Sequence, residues 1–328
     1  MIGSIVSRAA GRSIVLAAGL LSAALVAHPS AGAADPAAAK PVPGNRAEML
    51  DALSALKQRS PRLPAPPPEA AASQSPGPLG LVNNALFRSH YLPEELRTST
   101  GRQPDPVLVI DETFAVELFW IVSRVNNCHY CLGHQEVKLA AKGVTEAQLL
   151  ALDTDWSGIP EGRRAAYEFA RKLTISPQTI TAADVDALRP HYDPVSILGI
   201  VFLVSRYNST NRWTDSLGLP QEGHREFTSE LAAGDLARPS RVAVGGFGPR
   251  GAITDVSAWR AALDRARDRT ARLPLADPAA VTTALEAAGE QPPGREYERL
   301  LAEFPVAGVP WIRQLRAAER VGELPLEL

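Results

Sequence analysis

The chain's only two cysteines, Cys128 and Cys131, stand in the run N-N-C-H-Y-C-L-G-H, with His129 between them and His134 just after. Residues three apart on a helix are neighbours, so the two thiols can close a short, reducible disulfide. His134 lies one turn past Cys131, close enough to exchange a proton with it. Glu117, on the apolar segment before the pair, adds a carboxylate. A dithiol, one or two imidazoles and a carboxylate are the parts of a thiol redox site with its own proton relay.

The elements around these residues decide whether the chemistry is available. The apolar run Phe114–Val125 is broken by Asn126-Asn127, a pair that favours caps and turns over a helix interior. With Asn127 as N-cap, Cys128 opens a helix that runs to Gly143, a suitable C′ residue. A thiol in the first turn of a helix meets the positive end of the dipole and unpaired N–H groups, which favour thiolate. Lowering its pKa by about two units takes roughly 2.7 kcal/mol, within reach of a helix end and a nearby imidazole.

Each of these residues also has a structural reading. The cysteines could form a structural disulfide, but a loop that short constrains little of the unfolded chain. A zinc site from Cys128, Cys131 and His134 has ligands of the right type and lacks a second pair at finger-like spacing. Haem attachment needs His directly after Cys131, and Leu132 is there. His129 is either part of the relay or a first-turn surface residue, and Glu117 either the relay carboxylate or an ion-pair partner of Arg124 or of another helix.

A helix containing Glu, then N-x-C-x-Y-C, then His in the next turn resembles the carboxymuconolactone decarboxylase family, in its alkyl hydroperoxidase D-like, CxxC-containing branch. Tyr207-Asn208-Ser209-Thr210-Asn211-Arg212 followed by Leu217-Gly218-Leu219-Pro220 is similar to the closing helix of such domains. The likeness covers about Val107 to Pro220. It implies an all-α helical bundle, a homo-oligomer, no cofactor and no metal, and peroxide reduction through Cys128 and Cys131, with His134, Glu117 and His129 as candidate relay residues. Relatives place the His four residues after the second Cys, where this chain has Gln135, and often place the Glu at the position of Val116.

In order, residues 1–33 look like an export signal: Arg8 and Arg12, the apolar core Ile14–Ala27, then Ala31-Gly32-Ala33. The apolar run is short for a membrane span of about 20 residues, so an exported, periplasmic or extracellular protein without stable membrane insertion is expected. There a CxxC rests oxidised unless a thiol reductant reopens it. Residues 34–80 are a Pro/Ala-rich linker containing one amphipathic helix, Arg46–Arg59. Residues 81–222 form the helical domain, with helices starting at Asp111, Thr145, Pro160, Thr181 and Asp193-Pro194. The last of these is apolar nearly all round, which suits a bundle centre or a subunit interface. Residues 223–256 read as a second linker and 257–328 as a helical segment. There Arg269–Pro274 echoes Arg59–Pro64, suggesting an incomplete repeat.

The 328 residues are 45% hydrophobic, ample for one or two cores, and the net charge of −2 without basic blocks disfavours nucleic acid as a partner. The reading is a thiol-dependent peroxidase acting on hydroperoxides. The alternatives are a cofactor-free decarboxylase or lactone-processing enzyme using His and Glu, and a non-catalytic assembly module.

Overall fold

In a computed structural model, residues 40–67, 69, 82–97, 105, 107, 110–243, 256–267, 271–304 and 306–321 are described. The export signal expected at 1–33 lies outside them, as does most of the tether expected over Pro64–Pro78. Among the described residues the only β pairing is an isolated bridge between Asn45 and Pro239, and the fold is all-α. No helix there is long and apolar enough to cross a membrane.

Four helices make the bundle: α3 (Glu112–Val125), α4 (His129–Ala141), α6 (Glu161–Ile175) and α8 (Pro194–Ser216), with α3 packed on the other three. They are preceded by α1 (Arg46–Ala55) and α2 (Asn83–Tyr91), and interleaved with α5 (Glu146–Thr154) and the short α7 (Ala182–Asp186). The starts follow local chemistry. Asp111 and Asp193 each accept a backbone N–H from the first turn of their helix, Thr145 and Gln148 form a capping box, and Pro194 fills the first position of α8. The core gathers Phe114, Leu118, Trp120, Ile121 and Val125 of α3 with Leu132 and Leu139 of α4, Tyr167 and Ala170 of α6, and Ile197, Ile200 and Val204 of α8.

α1 is part of this core and not of a tether. Met49, Leu50 and Leu53 are buried, and the fully buried Arg46 forks onto Glu136 of α4 at 2.5 and 2.9 Å and onto Glu146 of α5 at 2.7 and 3.1 Å. Removing one partner of such a pair strands a charge at a cost of about 3–5 kcal/mol. The segment after 222, expected to be a linker, is likewise laid on the bundle up to residue 243. Phe227 and Val242 are buried, and the Ser240 hydroxyl donates to Asp153, the partner of buried Arg124.

That segment contains the short α9 (Ala233–Leu236), and beyond it lie α10 (Val256–Arg267), α11 (Pro278–Ala287), α12 (Glu296–Leu301) and α13 (Gly308–Val321). The last three build a second core of Val281, Leu285, Leu301, Phe304, Trp311 and Ile312 against Leu198 at the N-terminal end of α8, where Trp311 stacks on Phe202. The long apolar helix therefore has one end covered by its own chain. The two echoed segments meet different surroundings. Arg59 and Arg62 bond Asp215 at the end of α8, whereas Arg272 bonds the carbonyl of Ile180 and its own carbonyl accepts from Arg189.

Candidate functional site

The site begins at the break between α3 and α4. Asn127 is the one non-glycine residue with positive φ (54°) among the described residues, and it is the C′ residue of α3 rather than the N-cap of α4. The N–H of Asn127 bonds the carbonyl of Arg124, and that of Cys128 bonds the carbonyl of Ser123 at 2.9 Å, a Schellman closure. Cys128 thereby takes the N-cap position of α4. Asparagine tolerates the left-handed conformation better than most residues, which is why the asparagine falls on that side of the break. Asn126 is clamped from α8: its amide donates to the side-chain oxygens of Asn208 and Asn211, both at 2.9 Å, while Asn211 donates to Ser123 at 3.1 Å. The polar residues near the end of α8 thus hold the turn that aims the cysteines.

Cys128 and Cys131 are buried free thiols packed with Leu56, Phe87, Tyr130 and Leu219. Both sulfurs contact one hydroxyl, Thr214 Oγ1, at 3.3 Å from Cys128 and 3.1 Å from Cys131. Burial pushes the Cys128 thiol up, but hydrogen bonds from Cys131 and Thr214 pull it further down, and it titrates below the ordinary thiol. Cys131 goes the other way: burial, its bond to Cys128 and the charge there push it well above the ordinary range. The two thiols are thus unequal: Cys128 is drawn toward thiolate, while Cys131 beside it is held toward the protonated form.

His134 is buried and held at both ends. Nδ1 lies 2.9 Å from the carbonyl of Tyr130, one turn back, so Nδ1 carries a proton and donates it. Nε2 lies 2.8 Å from Oε2 of Glu222 but off the bonding line, and neither atom finds a well-aligned hydrogen-bond partner. The other oxygen of Glu222 accepts from the Tyr130 hydroxyl at 3.0 Å and from the N–H of Asn83 at 2.5 Å. Burial raises this carboxyl, yet the nearby His134 imidazole and the N–H of Asn83 outweigh it and hold Glu222 below the usual carboxylate range.

Glu222 arrives by way of the end of α8. Gly218 (φ 66°) closes that helix with the N–H of Leu219 on the carbonyl of Thr214 at 3.1 Å, turning the chain across α4. Gln221 then donates to the carbonyls of His129 and Tyr130 at 3.1 and 2.6 Å. Gly133 makes room: a Cβ there would stand 2.2 Å from the Gln221 amide nitrogen and 3.0 Å from the ring of Phe227.

The residues named from sequence fall into two groups. Cys128, Cys131 and His134 share the first two turns of α4, and His129, also buried there, contacts the Asn127 side chain at 2.8 Å. Glu117 is elsewhere in its contacts: Arg163 donates to it at 2.8 Å and Tyr167 at 2.6 Å, with burial raising its pKa. It pairs with neither His134 nor Arg124, whose partner is Asp153, and is instead an ion-pair partner of another helix, α6, through Arg163. Gln135, at the relatives' histidine position, donates to the carbonyl of Cys131 at 3.0 Å. The sequence reading missed Glu222, the last residue of the expected domain, and His224, which it placed in a linker. The clue was a Glu-x-His cluster two residues past the Gly218-Leu219-Pro220 stop. Nor do the metal-type donors gather on the thiols: among the described residues, His134, Glu222 and His224 bring theirs within 4.8 Å of one another.

No family model matches the chain. Uncharacterized protein YnjA of Escherichia coli (strain K12) is 25% identical over 105 residues, 31% of this chain and 57% of that protein. The chain therefore spans little more than half the length of this curated relative. A crystal structure of an uncharacterized peroxidase-related protein from Silicibacter sp. TM1040 is 20% identical, covering 37% of this chain and 69% of the other, with a TM-score of 0.30.

Proposed function

We propose that the protein is a dithiol peroxidase of the alkyl hydroperoxidase D-like type, cycling Cys128 and Cys131 between thiols and a disulfide. The observation that carries this reading is the unequal pair: two buried sulfurs on one hydroxyl, with Cys128 pulled toward thiolate and Cys131 kept protonated beside it. A structural disulfide has no use for such asymmetry, whereas a nucleophile and its resolving thiol require it.

The Cys128 thiolate attacks one oxygen of a hydroperoxide, the O–O bond breaks, and Cys128 becomes a sulfenic acid while an alkoxide leaves and takes up a proton. Cys131 then condenses with the sulfenic acid, forming the S–S bond and releasing water. One peroxide takes two electrons from the dithiol, and an external dithiol returns them by exchange. When Cys128 ionises, the Thr214 hydroxyl turns its one proton from the carbonyls of Thr210 and Asn211 to the thiolate, and the Glu222–His134 pair handles the protons on the same face of α4. Export, read from residues 1–33, would give the oxidised form as the resting state.

The test is the intact mass of the reduced protein before and after one equivalent of an organic hydroperoxide. The expected result is rapid loss of two hydrogens, abolished by Cys128→Ser or Cys131→Ser, with a sulfenic acid trapped on Cys128 in the Cys131→Ser variant. Two thiols still free after peroxide would overturn the reading and move attention to cysteine-independent chemistry at His134 and Glu222.

A further inference from the structure

The contact between His134 and Glu222 has an unusual electrostatic requirement. Because Nδ1 donates to the Tyr130 carbonyl, Nε2 of a neutral imidazole presents a lone pair. That lone pair stands 2.8 Å from a carboxylate oxygen, which also only accepts. Two acceptors this close need a positive centre between them, either a proton or a metal ion.

The surroundings suit a metal. The His134 ring is oriented by a backbone carbonyl on its far nitrogen, as ligating histidines usually are. Glu222 has Oε1 occupied by the Tyr130 hydroxyl and the Asn83 N–H, leaving Oε2 to bind in monodentate fashion. His224 supplies a third donor, its Nε2 4.0 Å from that same oxygen and its ring 6.1 Å from the His134 ring. The three donor atoms lie within 4.8 Å of one another, buried at His134 and open to solvent at His224. Two imidazoles and one carboxylate with an open side form the donor set that zinc takes with a fourth position free.

We infer that His134, Glu222 and His224 form a binding site for a divalent ion of the zinc class, separate from the cysteine pair. The site departs from the metal-free expectation drawn from sequence, and it uses neither sulfur. Ligand-to-ligand spacing in such a site exceeds 2.8 Å, so binding opens the His134–Glu222 contact by a few tenths of an ångström, which the exposed 223–224 segment accommodates.

A bound ion would take His134 and Glu222 out of the proton handling proposed above, so the inference rests on the geometry of the three donors alone and its test removes the thiols. Cobalt(II) is titrated into the full chain carrying Cys128→Ser and Cys131→Ser, followed by visible ligand-field absorption, then displaced with zinc. The expected result is saturation at one ion per chain, with affinity falling roughly 100-fold or more on adding His224→Ala or Glu222→Gln. Helical circular dichroism establishes that each variant is folded. Zinc should also protect His224 and His134 from carbethoxylation in the otherwise unaltered chain with its disulfide closed, a measurement needing no substitution. Absence of saturable binding below about millimolar metal, affinity indifferent to both substitutions, or no protection of His224 would each overturn the site.

Discussion

Two half-buried carboxylates on this bundle have nearly the same dress and different capabilities. Glu117 accepts from the Tyr167 hydroxyl at 2.6 Å and from Arg163 at 2.8 Å. Glu222 accepts from the Tyr130 hydroxyl at 3.0 Å and faces His134 at 2.8 Å. The difference lies in the cation. A guanidinium stays protonated throughout the working range, so the Glu117 cluster can only hold α3 to α6. An imidazole with Nδ1 bonded still has Nε2 to offer, so the Glu222 cluster can pass a proton or accept a metal ion. A tyrosine and a carboxylate are therefore not a signature of catalysis, and the third partner decides.

The comparison can be broken by activity. Glu222→Gln should slow peroxide-driven disulfide formation by roughly 100-fold, the usual worth of a positioned proton-transfer group, whereas Glu117→Gln should leave the rate within a few-fold. Stopped-flow oxidation of both reduced variants measures this, and a larger loss from Glu117→Gln would reverse the assignment.

Next in size is Gly133→Ala. Its methyl would meet the Gln221 side-chain amide, which must swing off the carbonyls of His129 and Tyr130 and so loosens the 219–227 segment on α4. The expected cost is about 2 kcal/mol of stability, read by urea denaturation, together with a slower oxidation rate as Glu222 moves away. Wild-type stability with an unchanged rate would show that the segment does not need to lie where it does.

Thr214→Val tests the sulfur pair. Without the hydroxyl the Cys128 thiolate loses a donor, and the pH midpoint of its alkylation by iodoacetamide should rise by about one unit, equal to about 1.4 kcal/mol. The sign follows from the depressed thiol: alkylation in the parent protein should be half-maximal below the ordinary midpoint of about 8.5 and increase with pH through it. An unmoved midpoint would remove Thr214 from the site.

The smallest effect belongs to the structural member of the comparison. Glu117→Gln should cost about 1 kcal/mol in the same denaturation experiment, since Arg163 is partly exposed and keeps Asp111 as a partner at 2.9 Å. Arg46→Met, which strands buried Glu136, should be clearly worse, and a reversed order would mean that α1 is weakly docked.

By itself, the sequence determined the local features: an all-α chain, the starts of most bundle helices, the break at Asn126-Asn127, the neighbouring placement of Cys128, Cys131 and His134, and the Gly143 stop. All of these follow from capping chemistry and helical spacing within a few residues. Only the tertiary structure decided which carboxylate meets His134, because Glu117 and Glu222 are both plausible from composition and the choice depends on how α8 ends over α4. Only the tertiary structure also separated the two thiols, since Thr214 reaches them from 83 residues away. Helical geometry propagates along a chain for a turn or two, whereas a shared hydroxyl, a half-buried carboxylate and a third ligand come together only when distant helices pack.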